Sequence, residues 1–180
     1  MRIALLSLII ALLSTPVFGA EPEAITPQAA WEQVQEKGDQ ILFVDVRDPI
    51  EIMFVGFTDA VDLNVPFKLA DRQVFIEDKK HFAMQPNPDF ASAIEQALTR
   101  KGLDKSALVI TLCRSGSDRG KPSAAFLAEH GFSNVKYVEN GFQGDKASEG
   151  DQAGMRTVNG WMNSGLPWSW ELNPQKIHRP

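Results

Sequence analysis

One stretch of the 180-residue chain concentrates reactive chemistry: Cys113-Arg114-Ser115-Gly116-Ser117-Asp118-Arg119-Gly120. Cys113 is the only cysteine. A thiolate is a strong nucleophile, and helix N-termini and neighbouring cations favour it over the thiol. Both devices are present in the pattern. Gly116 and Gly120 permit the dihedrals with which a tight loop turns successive backbone N–H groups inward. A helix read from about Lys121 to His130 would direct its positive end at the sulfur. Arg114, Arg119 and Lys121 bring three cations against the single carboxylate of Asp118, in a chain whose formal net charge is -5. Such a loop stabilises a thiolate and gathers a small anion.

The rest of the composition narrows the chemistry. One cysteine excludes an internal disulfide framework and a cysteine-based zinc site. His81, His130 and His178 are scattered, giving no metal-ligand spacing and no cysteine–histidine pair close in sequence. No cofactor is implied. The acidic balance argues against nucleic acid, which demands a basic face. With 43% hydrophobic and 23% charged residues the chain is that of an ordinary globular domain.

The loop needs a frame. Residues 1–20 read as a signal peptide: Arg2, an apolar run from Ile3 to Leu13 broken only by Ser7, then Pro16 and small residues up to Gly19 and Ala20. That run is short for a membrane span. The protein is therefore expected in the periplasm or secreted, with no membrane attachment after cleavage near Gly19 or Ala20. Beyond a Pro- and Glu-rich lead-in, Thr26-Pro27 caps a helix to about Lys37, and Ile41–Val46 is a strand buried on both faces. Asp48-Pro49-Ile50-Glu51 starts a helix, with Asp48 as N-cap and Glu51 placed to reach back as in a capping box. Ala60–Val65 reads as a short strand, and 67–88 as irregular and polar. Phe90, Ala93, Ile94, Ala97 and Leu98 share one helical face, and Gly102 stops that helix. Ala107–Leu112 is the strongest strand and Val135–Val138 the last. Strands alternating with helices imply an α/β fold: a central parallel sheet with helices on both faces and ligands at the carboxyl ends of its strands. Cys113 stands at one such end.

Four stretches together resemble the rhodanese, or sulfurtransferase, domain family. They are Asp45-Val-Arg-Asp-Pro49 with Glu51; Ala60-Val-Asp-Leu-Asn64-Val-Pro66; Cys113-Arg-Ser-Gly116 followed by Ser123-Ala-Ala-Phe-Leu127 and Gly131-Phe132; and Val138-Glu-Asn-Gly141-Phe142 with Trp161 and Gly165-Leu-Pro167. The resemblance implies a three-layer rhodanese-like domain over residues 26–170, followed by a C-terminal tail, 171–180. It implies a covalent mechanism in which Cys113 takes a sulfane sulfur from a small anionic donor such as thiosulfate. The resulting persulfide passes its sulfur to a thiol, to cyanide or to a protein acceptor. Arg114, Ser115, Gly116, Ser117, Asp118 and Arg119 would bind the donor and hold the persulfide. Asp45 and Arg47 would tie the strand end beside the site.

Two departures from the family pattern keep alternatives open. Val55-Gly56-Phe57 lacks the histidine many members carry after glycine there, and Cys113 to Arg119 reads C-x5-R, one residue longer than the common form. The longer loop resembles that of rhodanese-fold phosphatases and arsenate reductases, so phosphate or arsenate chemistry is an alternative, as is a non-catalytic sulfur carrier or partner-binding module. The segment 144–154 lengthens the last connection. Its acids do not follow calcium-loop spacing, and it reads as a surface loop or as a lid beside the site. Trp161, Trp168 and Trp170 read as packing aromatics.

Overall fold

A computed structural model describes residues 21–179. The segment read as a signal peptide, 1–20, lies outside the described residues. The elements run β1 (Glu23–Ile25), α1 (Pro27–Lys37), β2 (Ile41–Asp45), α2 (Pro49–Val55), β3 (Leu63–Asn64), β4 (Lys68–Ile76), β5 (His81–Pro86), α3 (Phe90–Arg100), β6 (Leu108–Leu112), α4 (Gly120–Glu129), β7 (Val135–Val138), β8 (Asp145–Lys146), β9 (Arg156–Val158) and α5 (Gly160–Asn163).

Five strands form one sheet in the order β1-β7-β6-β2-β3, and every pairing in it is parallel. Alternation along the inner strands divides the core into two apolar layers. Leu42 and Val44 of β2 and Val109 of β6 pack with Phe90, Ile94 and Leu98 of α3 and Ala124 and Leu127 of α4. Ile41 and Phe43, with Ile110 and Leu112, face the opposite way onto Ala30 of α1, Ile52 of α2 and Trp161 of α5. Strands so covered are apolar at nearly every position, Asp45 and Thr111 being the exceptions, which is why β2 and β6 read as near-continuous runs. The three-layer α/β architecture is the one expected.

Local signals fall where sequence places them at three helix ends. Thr26 Oγ1 accepts from the Ala29 N–H at 3.0 Å, and Asp48 accepts from the Ile50 N–H at 2.8 Å. Gly102, at φ 71°, ends α3 with the Leu103 N–H returning to the Leu98 carbonyl.

Three segments differ from expectation. The stretch 67–88 is not irregular: β4 and β5 form an antiparallel ribbon with a register shift between Asp71 and Phe75. Ala83 is its one buried hydrophobic side chain, so no alternation of apolar residues marks it in sequence. Of Ala60–Val65, only Leu63 and Asn64 join the ladder. The lead-in contains β1, whose backbone pairs with β7 through Glu23, Ala24 and Ile25. The 144–154 segment begins in β8, which pairs with β9 as a small antiparallel unit. Trp161 is fully buried, Trp168 is half-buried, and Trp170 is 62% exposed. Residues 171–179, read as a tail, lie back against the body: Leu172 and Ile177 pack on the Trp161 layer.

Candidate active site

The site forms where β2 and β6 end side by side. Asp45 pairs in register with Leu112, and the Val46 N–H donates to the Leu112 carbonyl at 2.9 Å. The next residue along β6 is Cys113, 1% exposed. The loop from Arg114 to Arg119 curls around its sulfur before α4 begins. The Gly116 N–H donates to Sγ at 3.2 Å. A Cβ on Gly120, the first residue of α4, would lie only 3.3 Å from Sγ, so the start of the helix passes directly against the sulfur. An anionic sulfur there meets a backbone donor and the positive end of a helix.

The loop is held from beneath by the turn after β7. The Phe142 N–H donates to the Cys113 carbonyl at 2.7 Å and the Gln143 N–H to the Arg114 carbonyl at 2.8 Å. Gly141 has φ 58°, and a Cβ there would fall 2.4 Å from the Cys113 carbonyl oxygen. Only glycine allows the two turns to stack this closely.

The charges distribute differently from the sequence reading. Arg119 is buried against Glu51, with contacts of 2.5 and 3.0 Å between its two terminal nitrogens and the two carboxylate oxygens. Burial acts to lower its pKa. The hydrogen-bonded Glu51 carboxylate, aided by the negative charges of Cys113 and Asp45, outweighs burial and holds the pKa above the usual arginine value. Lys121 turns outward to Glu21 at 2.7 Å. Arg114 alone of the three cations has no carboxylate partner among the described residues; its Nε donates to Gln143 at 2.8 Å. The loop is thus less positive than its composition suggests. Ser115 and Ser117 share a hydroxyl contact of 3.0 Å, and Ser117 reaches Asp118 at 3.4 Å.

Asp45 and Arg47 form a fully buried ion pair at 2.6 Å. Arg47 also donates to the Gly56 carbonyl and stacks 4.1 Å from the centroid of the Phe142 ring. Asn64 donates to the carbonyls of both Asp45 and Arg47 at 2.9 Å, fixing the β2 end beside Cys113. No group of three or more His, Cys, Asp or Glu side chains among the described residues is arranged to hold a metal.

The domain model of the rhodanese-like family matches residues 26–148. The chain belongs to the rhodanese-like domain family. Among solved structures it is similar to Rv0390 from M. tuberculosis, at 28% identity and a TM-score of 0.60, over 84% of this chain and all of that one. It is also similar to a polysulfide-sulfur transferase homodimer from Wolinella succinogenes, at 22% identity and a TM-score of 0.47, over 83% of this chain and 79% of that one. A third likeness is to a protein of unknown function from Rhodopseudomonas palustris described as a possible tyrosine phosphatase, at 18% identity and a TM-score of 0.45, over 82% and 85% of the two chains. No curated protein matches the chain significantly.

In this rhodanese-like domain the loop residues named from sequence all lie around Cys113 or at the cleft beside it. Two contributions escaped the sequence reading. Glu51, which the sequence offers as a cap for α2, instead sets its carboxylate on Arg119. The wall facing the loop comes from the β4–β5 ribbon: Lys68, Ile76, Lys79, His81, Phe82 and Met84 line a cleft of about 770 Å³ together with Glu51, Arg114, Asp118 and Arg119. The ribbon lines this cleft, and no residue of 144–154 does. The acidic residue two places after Pro49 is the available sequence signal for this partner of Arg119. Nothing local signalled the ribbon.

Proposed function

We propose that this protein is a sulfurtransferase in which Cys113 carries sulfur as a persulfide. The observation that supports this most is the setting of the sulfur. Cys113 sits at a strand end, with the Gly116 N–H at 3.2 Å and the first residue of α4 against Sγ. A loop built on backbone donors suits a terminal persulfide anion, which occupies the space the loop encloses. With thiosulfate as donor, the Cys113 thiolate attacks the outer sulfur. The Sγ–S bond forms as the S–S bond to the sulfonate breaks, and sulfite leaves with the bonding pair. Arg114, which has no carboxylate partner among the described residues, would steady that departing charge together with Arg119, whose guanidinium is held by Glu51. An acceptor thiolate or cyanide then attacks the outer sulfur of the persulfide and returns Cys113 as thiolate. The apolar leader 1–20 supports a location in the periplasm or outside the cell.

The C-x5-R spacing, with Asp118 on the cleft wall, supports phosphate-type chemistry as the second reading. One experiment separates the two. The mature protein is incubated with thiosulfate, weighed by mass spectrometry, and then given cyanide. Gain of one sulfur atom on Cys113, released as thiocyanate and absent in Cys113→Ser, is the expected result. No gain in mass, together with Cys113-dependent turnover of an aryl phosphate, would replace the first reading by the second. Gain of sulfur that cyanide cannot remove would make the protein a carrier serving a protein acceptor.

A further inference from the structure

One residue holds Arg114 at both ends. The Gln143 N–H donates to the Arg114 carbonyl at 2.8 Å, and the Gln143 side-chain oxygen accepts from Arg114 Nε at 2.8 Å. The first bond belongs to the stacked turns, and any residue with a backbone N–H could make it. The second needs an acceptor on the side chain. A carboxylate there would neutralise the guanidinium, whereas a glutamine amide orients it and leaves its charge free to act. Arg114 is exposed, and an exposed arginine has many rotamers that a ligand must restrict on binding. The Nε bond fixes the guanidinium plane before any ligand arrives. The two terminal nitrogens, which have no partner among the described residues, remain as a two-pronged donor edge. The same side chain lines the cleft beside Cys113, where the other arginine, Arg119, is already committed to Glu51.

Gln143 is itself held from its far side. The strip 141–143 lies between the cysteine loop and α5. Its carbonyls accept in order from the Trp161 N–H at 2.9 Å, the Met162 N–H at 2.9 Å and the Asn163 side-chain amide at 3.1 Å. That amide also donates to the Asn159 carbonyl at 2.7 Å, which ties it to the start of α5. The N–H groups of Phe142 and Gln143 run the other way, to the carbonyls of Cys113 and Arg114. Both backbone polar groups of Gln143 are therefore used, and its side chain starts from a fixed point. That point is set by α5, which lies beyond the residues the family match covers.

Resting on the sulfurtransferase reading above, we propose that Gln143 is a positioning residue for sulfur loading. It presents the terminal nitrogens of Arg114 to the sulfonate end of thiosulfate, the group that leaves as sulfite when its bond to the outer sulfur breaks. Arg114 touches the donor, and Gln143 acts only through Arg114. Gln143 gains and loses no proton, and the bonds made and broken at Cys113 are those already given.

The test is a double-mutant cycle on loading of Cys113 from thiosulfate in single turnover, with Gln143→Leu, Arg114→Gln and the two combined. Leucine keeps the backbone bond and much of the side-chain volume but removes the acceptor. Gln143→Leu is expected to raise the half-saturating thiosulfate concentration about fivefold, the order expected when one long side chain must be immobilised by the ligand itself. The limiting rate should change less. In the Arg114→Gln background the same substitution should change nothing further. Alkylation of Cys113 gives a second readout, because iodoacetate carries a charge that iodoacetamide lacks. The ratio of iodoacetate to iodoacetamide rates should fall in Gln143→Leu and in Arg114→Gln, while the iodoacetamide rate holds. Gln143→Ala repeats the cycle with a smaller side chain, and circular dichroism checks that each variant folds. An unchanged half-saturation in Gln143→Leu, a further loss of the same size in the Arg114→Gln background, or equal slowing of both alkylating agents would overturn the proposal and leave sulfur transfer standing. Unsubstituted protein that takes no sulfur from thiosulfate would instead remove the sulfurtransferase reading and the proposal with it.

Discussion

Glu51 and Arg119 are 68 residues apart in sequence, yet their ion pair decides where a cation sits relative to Cys113. Arg119 has few other ways to satisfy its charge, since it is nearly buried. On the proposed sulfurtransferase reading, Glu51 is a positioning residue that acts through Arg119. In Glu51→Gln one hydrogen bond can persist, but the charge that offsets burial is gone. Unfolding free energy should fall by about 1–3 kcal/mol, the usual range for a charge-assisted hydrogen bond in a partly buried setting. Sulfur loading of Cys113 from thiosulfate should slow roughly tenfold, with the loss in kcat rather than KM if Arg119 chiefly steadies the leaving sulfite. Urea denaturation and steady-state kinetics read the two effects separately. A variant that unfolds earlier yet loads sulfur at the normal rate would show that the placement of Arg119 does not matter to transfer.

At the scale of elements, the site is two turns stacked at the ends of parallel strands, and glycine governs how close they come. Gly141 and Gly102 both have positive φ, at 58° and 71°, but their surroundings differ. A Cβ at Gly102 meets nothing within 4 Å, whereas one at Gly141 would sit 2.4 Å from the Cys113 carbonyl oxygen and 2.6 Å from the Ser115 nitrogen. Gly102→Ala should cost about 1 kcal/mol from left-handed strain alone and leave sulfur loading intact. Gly141→Ala should cost about 3 kcal/mol or more and abolish loading, because the cysteine loop must move. Equal behaviour of the two variants in denaturation and loading assays would mean that the stacking is not what holds the loop. The same contrast marks what sequence can convey. The strands β2 and β6 and the apolar stripe of α3 announce themselves because each residue's burial follows its own element's period. The carbonyl that fixes Gly141 lies across a turn from another strand, and the ribbon β4–β5 buries almost nothing, so neither leaves a local pattern. Cys113 was legible because a lone thiol among glycines and arginines at a strand end has a local reason to be there. Glu51 is ambiguous in sequence because two explanations, a cap and a distant partner, give the same residue at the same place.

For the whole molecule, the question is where the folded unit ends. The family match stops at residue 148, but α5 and the residues after it complete one of the two core layers. The last described segment goes further than covering apolar surface. The Lys176 carbonyl accepts from the Asn64 N–H at 2.7 Å, and the Lys176 ammonium donates to the carbonyls of Asp59 and Val61. Asn64 is the same residue whose side chain holds the carbonyls of Asp45 and Arg47 beside the cysteine loop. The C-terminal segment therefore braces the β3 edge, and through it the β2 end of the site. Removing residues 171–180 takes away the Leu172 and Ile177 side chains, exposes the apolar surface they cover and leaves three backbone groups to water, a loss of about 2–4 kcal/mol. For a domain of this size that corresponds to a fall in Tm of roughly 5–15 °C. Loading of Cys113 should weaken alongside, because Asn64 loses the contact that orders its backbone. Calorimetry on the truncated and full chains, paired with sulfur loading at a temperature where both are folded, measures the two effects. A truncated protein with an unchanged Tm would place the end of the folded unit near Trp170. One that is less stable but loads sulfur normally would show that the brace serves the fold and stops short of the site.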